Sequence, residues 1–195
     1  MIKIGTPHFD LSGTDEARDA NRRVIESFAE LGCSICMPHQ ATTDAMADRL
    51  TRTLRGMDPY LAMIREFGMK PGLSTHMPEV PIYADESGLD VATYIQIYNA
   101  AGFLMQIEAD WVHRMIWKRR RPVIAIKPLA AGRLLPLVGL AFSWATLREQ
   151  DMVCIGTMTP DQAREVIDIS LSLLERRMPE VELQTTRSKK SLLDA

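Results

Sequence analysis

The sequence has little net charge, few cysteines and no long apolar run, and each shortage removes a class of protein. Its 23 basic and 25 acidic residues leave a net charge of −2 over 195 residues, which gives no general pull toward nucleic acid or membrane surfaces. The charge-free stretch from Leu134 to Leu147 is interrupted by Pro136, Gly139, Ser143 and Thr146, so it lacks the roughly 20 consecutive apolar residues that span a bilayer. No basic region followed by an apolar stretch opens the chain, so no secretory signal is expected and cytosolic residence is the default. Three cysteines, an odd number, make no disulfide framework. Cys33 and Cys36 have C-x-x-C spacing, but residues three apart on a strand point to opposite faces, and two buried thiols are the expectation. Also missing is any apolar run followed by G-x-G-x-x-G, the phosphate fingerprint of open dinucleotide-binding sheets.

What is present is a regular alternation. Six short apolar runs, Ile2–Thr6, Ser34–Pro38, Lys70–Thr75, Ala92–Tyr98, Pro122–Lys127 and Met152–Thr157, read as strands. Helical segments follow them: Thr14–Leu31, Met57–Phe67, a short one from Glu79, Ile107–Lys118, Pro136–Arg148 and Thr159–Arg177. In the last, Ala163, Val166, Ile167, Ser170, Leu171 and Leu174 form one stripe at i, i+3, i+4 spacing, with Thr159 as N-cap and Pro160 at the first helical position. Gly32, Gly68 and Gly88 punctuate helix ends. Strict strand–helix alternation predicts an α/β fold, a TIM-type barrel incomplete at six parallel β/α units. Residues 1–180 read as one barrel domain, and 181–195 as a polar tail, basic in its middle. Two units fewer than the usual eight leave two alternatives: a fragment, or open strand edges covered by another subunit in a homo-oligomer.

Chemistry in β/α barrels gathers at the C-terminal ends of the strands. Three of the four histidines, His8, His39 and His76, terminate three consecutive predicted strands. Neutral imidazoles converging there suit a divalent metal, with Asp44, Glu79 or Asp10 as carboxylate ligand, in a hydrolase, lyase or isomerase. Alternatively, one histidine acts as an acid or as a hydrogen-bond donor to a polarised carbonyl. The loops after the last two strands are different in kind. Lys127-Pro128-Leu129-Ala130-Ala131-Gly132-Arg133 and Gly156-Thr157-Met158-Thr159 combine small residues, a helix N-terminus and cations, which suit a phosphate. The basic run Lys118–Arg121 reads as a solvated helix cap, and Asp110 with His113 as a surface pair one helical turn apart.

These motifs, in this order, resemble an aldo/keto reductase. Residues 21–32 running into a strand that ends at His39 are similar to a helix and site-histidine strand of that family. Gly72-Leu73-Ser74-Thr75 resembles its G-x-S-N and Gln96-Ile97-Tyr98-Asn99 its Q-x-x-Y/N strand end. Pro128-Leu129-Ala130-Ala131-Gly132 resembles its P-L-x-x-G, and Ile155 to Pro160 the start of its last helix. The resemblance covers nearly the whole chain and implies an oxidoreductase acting on a small carbonyl substrate with NADP(H) or NAD(H). It implies that His39 orients the carbonyl and that Ser74 and Gln96 hold the nicotinamide amide. Lys127, Pro128, Leu129, Gly132, Gly156 and Thr157 would hold the dinucleotide. It also places the family's catalytic tyrosine and aspartate in two absent leading units, and Ile4-Gly5-Thr6-Pro7-His8 offers no counterpart of its lysine. A barrel scaffold without catalysis is the third reading.

Overall fold

The computed structural model of the chain describes residues 2–187. Its six-stranded sheet contains β1 (Ile4–Gly5), β2 (Ile35–Cys36), β5 (Lys70–Thr75), β6 (Thr93–Ile97), β7 (Val123–Ile126) and β8 (Met152–Cys154) in that spatial order. The order in space is thus the order in sequence, and the strands are parallel. Helices α1 (Asp15–Glu30), α3 (Asp58–Glu66), α4 (Val80–Ser87), α5 (Ala109–Trp117), α6 (Pro136–Thr146) and α7 (Pro160–Glu175) follow the strands in turn. This is the topology of a TIM-type barrel with six of the usual eight units. A 3₁₀ turn, Ala130–Gly132, precedes α6. No helix among the described residues is long and apolar enough to cross a membrane.

One insertion has no counterpart in the sequence reading. Between β2 and α3 lie a seven-residue helix, α2 (Gln40–Met46), and an antiparallel hairpin of β3 (Ala47–Asp48) with β4 (Thr53–Leu54). Gln40-Ala41-Thr42-Thr43 carries no apolar period, so nothing in its pattern announces a helix. What starts the helix is a side chain: His39 is its N-cap, accepting the Ala41 N–H at 3.2 Å on Nδ1.

The described residues fall into two compact units, 2–96 with 119–123, and 97–118 with 124–187. In the first, Phe9, Ile25, Cys36, Ile64 and Met69 form a buried cluster with Phe28, Tyr60 and Phe67 packed against it. Each fully buried aliphatic side chain of this kind contributes about 1.5–3 kcal/mol. Thr14 caps α1 by accepting the Ala17 N–H, and Asp15 and Glu16 complement the helix dipole in the first turn. The run at Lys118–Arg121 is not simply a solvated cap. Arg119 turns inward, pairing with Asp85 at 2.8 Å, while the Tyr94 hydroxyl donates to the same carboxylate at 2.6 Å. Burial, followed by the bond to Asp85, holds the Tyr94 phenol well above its ordinary pKa, with Arg119 opposing the rise.

In the second unit α6 meets α7 through Leu140, Val166 and Ile169, with Leu129, Trp144 and Leu183 packed against them. Thr159 and Pro160 start α7 as expected, the threonine accepting the Gln162 N–H. Its inward face differs from the expected stripe. Glu165, Val166, Ile169 and Ser172 are buried, whereas Ile167, Leu171 and Leu174 are exposed. Two polar residues face in because they have partners there. Glu165 is bonded by Gln184, and Ser172 donates to the Ile169 carbonyl. Asp110 pairs with Arg114, not with His113, whose ring instead lies beside Trp117 and the Tyr98 hydroxyl.

Candidate functional site

In the first unit the loops after β1, β2 and β5 carry the predicted histidines His8, His39 and His76. Parallel pairing of β1 with β2 is extended by Met37 N–H to Gly5 O and His39 N–H to Pro7 O, at 2.9 and 2.7 Å. That register brings the His8 and His39 rings together, with centroids 3.8 Å apart at a 31° tilt. Burial, with His8 next, pushes the His39 pKa below its ordinary value, and Asp44 pulls it partly back. A neutral His39 whose Nδ1 accepts the Ala41 N–H must carry its proton on Nε2. It therefore offers a hydrogen-bond donor to a ligand.

Asp44, on α2, accepts from the Thr75 hydroxyl and, at 3.4 Å, from the His76 N–H. Burial outweighs these bonds and raises its pKa. Thr75 is itself fully buried and also accepts the Met77 N–H at 2.9 Å. Asp44 is thus a clamp between α2 and the end of β5. Among the described residues no group of three His, Cys, Asp or Glu side chains is placed to hold a metal ion. His8, His39 and His76 are not placed as such a group there; His39 stacks on His8 and caps α2.

Ser74 and Gln96 are both buried at the ends of β5 and β6. The register pairs Ser74 with Ile95 and Thr75 with Gln96, so side-chain alternation groups Gln96 with Thr75. Gln96 is completely buried, and neither its amide nitrogen nor its carbonyl oxygen has a hydrogen-bond partner. An unpaired buried amide costs about 1–3 kcal/mol per polar group. Such a group asks for a complementary donor and acceptor, which a second carboxamide supplies.

In the second unit the loops after β7 and β8 enclose a cavity of about 560 Å³. Lys127, Pro128, Leu129, Gly132, Gly156 and Thr157 line it, together with Met158, Gln162, Val166 and Gln184. The β7 loop has a tightly folded backbone, with Lys127, Ala130, Ala131 and Gly132 all at φ between 49° and 82°. It is held from below by Gly139 of α6, where an added Cβ would lie 2.6 Å from the Pro128 carbonyl oxygen. Arg133 lies over the Phe103 ring at 3.9 Å and donates to the Ala130 carbonyl at 3.2 Å. The Lys127 ammonium has no ion-pair partner among the described residues. Small residues, a free cation and the N-terminus of a 16-residue helix together suit an anionic ligand.

Sequence reasoning missed Gln162 and Gln184 in this lining. Gln162 has a signal, since Thr159-x-x-Gln162 is a capping pattern in which the glutamine side chain accepts the Met158 N–H at 2.8 Å. Gln184 has none, because only tertiary contact places it. Tyr98 is turned away from ligand chemistry, donating its hydroxyl proton to Thr146 at 3.0 Å. Cys33, Cys36 and Cys154 are free thiols, and burial pushes Cys36 up to about 12.

No protein-family profile matches the sequence. No curated protein matches it either. The fold does have solved counterparts. Two structures of proteins from Pseudomonas aeruginosa, each provisionally named an aldo-keto reductase, superpose with TM-scores of 0.55 and 0.58. They are 16% and 17% identical in sequence, and the match covers 79% and 85% of this chain. It covers 58% and 64% of those chains, so this one spans about three-fifths of their length. At this identity the likeness establishes an aldo-keto-reductase-like fold.

Proposed function

We propose that the chain binds a nicotinamide dinucleotide and serves the reduction of a small carbonyl compound in the manner of aldo-keto reductases. The observation that carries this reading is the cavity of the second unit. Six residues marked from sequence as dinucleotide-holding, Lys127, Pro128, Leu129, Gly132, Gly156 and Thr157, line one cavity. The Lys127 ammonium and the N-terminus of α7 offer its phosphates positive potential. In the first unit the orphaned Gln96 carboxamide fits the carboxamide that the family resemblance assigns to it. When bound, a reduced nicotinamide supplies the hydride. His39 donates from Nε2 to a carbonyl oxygen, orienting and polarising it. A neutral imidazole held below its ordinary pKa is a hydrogen-bond donor more than a proton source, so the proton that completes reduction comes from another group.

NADPH titration tests the reading, with quenching of Trp111, Trp117 and Trp144 as the signal. Trp144 packs against the same α6–α7 cluster as the cavity residue Val166. Saturation in the micromolar range is expected. Thr157→Asp should weaken it by roughly tenfold or more through charge repulsion at the helix N-terminus, without lowering the melting temperature. Absence of binding at millimolar NADPH would reject the dinucleotide reading and leave the fold without the chemistry.

A further inference from the structure

One wall of the second unit's cavity comes from neither the β7 loop nor the β8 loop. It is Gln184, from the segment beyond α7. The helix ends at Arg176, in the left-handed conformation at φ 55°, and the chain doubles back with Arg177 N–H bonded to the Ser172 carbonyl at 2.9 Å. From there it runs along α7 toward the helix start and is fastened at two carboxylates one turn apart. Asp168 accepts the Glu180 N–H at 2.7 Å and the Val181 N–H at 3.3 Å, and its other oxygen pairs with Arg177 at 2.7 Å. Glu165 accepts the Gln184 N–H and the Gln184 side-chain amide, both at 2.8 Å. Between these points Leu183 packs on Leu140, Val166 and Ile169. A second, shallower cavity of about 390 Å³ lies under the same segment, lined by Glu165, Val181, Glu182 and Gln184 among others.

This arrangement is unlike a loop resting on a surface. Glu165 is only 7% exposed, and a buried carboxylate is tolerated when its oxygens are bonded. Here Gln184, one residue of the segment, bonds both oxygens. Releasing Gln184 therefore exchanges these bonds for water on the Glu165 carboxylate and uncovers Val166, which is 5% exposed and lines the cavity. The segment's own attachment is modest: one partly buried leucine and a few hydrogen bonds, each worth about 0.5–1.5 kcal/mol net. A structure so held opens locally far more often than the whole domain unfolds.

We propose that residues 180–184 are a latch on the cavity, closed by Glu165 and Asp168, whose opening controls access to its α7 wall. The latch is a property of this chain's own contacts and does not depend on which ligand the cavity takes.

The test uses a thiol placed on the wall by Val166→Cys and alkylation by N-ethylmaleimide, mapped by peptide mass spectrometry. Cys154, exposed and lining the same cavity, serves as the internal control. Cys36, fully buried in the first unit, reports global unfolding. With the latch intact the introduced thiol should react slowly. Adding Leu183→Ser and Gln184→Ala should speed it by roughly tenfold or more, with Cys154 unchanged and Cys36 unlabelled. Glu165→Gln, which keeps one acceptor, should fall between. Equal rates with and without the latch substitutions would overturn the proposal. So would hydrogen exchange at the Val181 and Gln184 amides of the unmodified chain as fast as in an unstructured peptide, since that would mean the segment is not held at all. Because no dinucleotide enters these measurements, NADPH binding can fail while the latch stands, and the reverse.

Discussion

In the first unit the loops after β1, β2 and β5 carry imidazoles and a carboxylate; in the second, the loops after β7 and β8 carry glycine, alanine and threonine. The first fixes polar groups with side-chain hydrogen bonds: His39 to the Ala41 N–H, Asp44 to Thr75 and the His76 N–H. The second makes a surface out of backbone, by folding Lys127 and Ala130 to Gly132 into left-handed conformations and packing Gly139 against Pro128. The difference teaches what each can contribute. Orienting a reacting carbonyl needs a donor of defined tautomer, which side-chain bonding supplies. Holding a phosphorylated ligand needs space and backbone approach, which small residues supply. Substitutions should therefore damage the two units by different routes.

The largest effect is expected in the first unit's polar framework. Arg119→Ala leaves Asp85, 20% exposed at its side chain, with the Tyr94 hydroxyl but without its ion pair at 2.8 Å. Breaking such a largely buried pair costs about 3 kcal/mol, and a urea titration at neutral pH should show it. A loss under about 0.5 kcal/mol, the scale of an exposed pair, would mean that the unit is not tied together by its polar contacts. Next in size is Gly139→Ala in the second unit. Its added methyl has nowhere to go, and overpacking of this kind costs about 1–3 kcal/mol. The strain is relieved by moving the Pro128 loop, so the NADPH affinity should fall with stability. Stability lost with affinity intact would separate the loop's position from ligand binding and weaken the contrast.

Much of the first unit's framework was invisible beforehand, whereas the strand–helix alternation was plain. Apolar runs at 2–6, 34–38, 70–75, 92–98, 122–127 and 152–157 contain all six sheet strands, because a strand buried between helices must be apolar along its length. The tight folding of the small-residue loops was legible for the same local reason, their composition. By contrast, α2 depends on one capping imidazole, and the inward turn of Arg119 depends on Asp85, thirty-four residues away in sequence. The face of α7 was misjudged because Glu165 and Ser172 look like solvent positions. Only the returning segment that carries Gln184 makes Glu165 an interior residue. Periodicity records water against core; it does not record which polar groups find partners inside.

A smaller effect, with the opposite sign, sharpens the comparison at Gln96. Gln96→Met keeps the volume and removes two unsatisfied buried atoms. The ligand-free protein should gain about 1 kcal/mol in a thermal or urea melt. If the amide serves a ligand, NADPH affinity should drop in the same variant, a stability gain bought with function. Destabilisation instead would show that the amide has an internal role in the free protein.

The smallest effect expected is a pH dependence of opposite sign in two aspartates. Burial raises the pKa of Asp44, so its folded-state value lies above the unfolded one. Between the two values the folded protein holds a proton that the unfolded chain has released. Asp44 therefore costs stability progressively as pH rises through that window, and the cost is full above it. Asp168 is the reverse: Arg177 and the Glu180 and Val181 N–H groups lower its pKa. Its contribution is complete above the unfolded value and is lost as pH falls through the lower folded value. On acidification Asp44 should thus relax first, above the ordinary aspartate range, and Asp168 should let go only below it. Urea melts of Asp44→Asn and Asp168→Asn, taken from neutral pH down to about pH 2, should each differ from the parent on opposite sides of that range. Amide exchange at Val181 should stay slow until the lower transition, because its hydrogen bond is to Asp168. Were it to quicken with the upper one, the carboxylate fastening residues 180–184 would not be Asp168, and the second unit's segment would owe its hold to Leu183 and Glu165 alone.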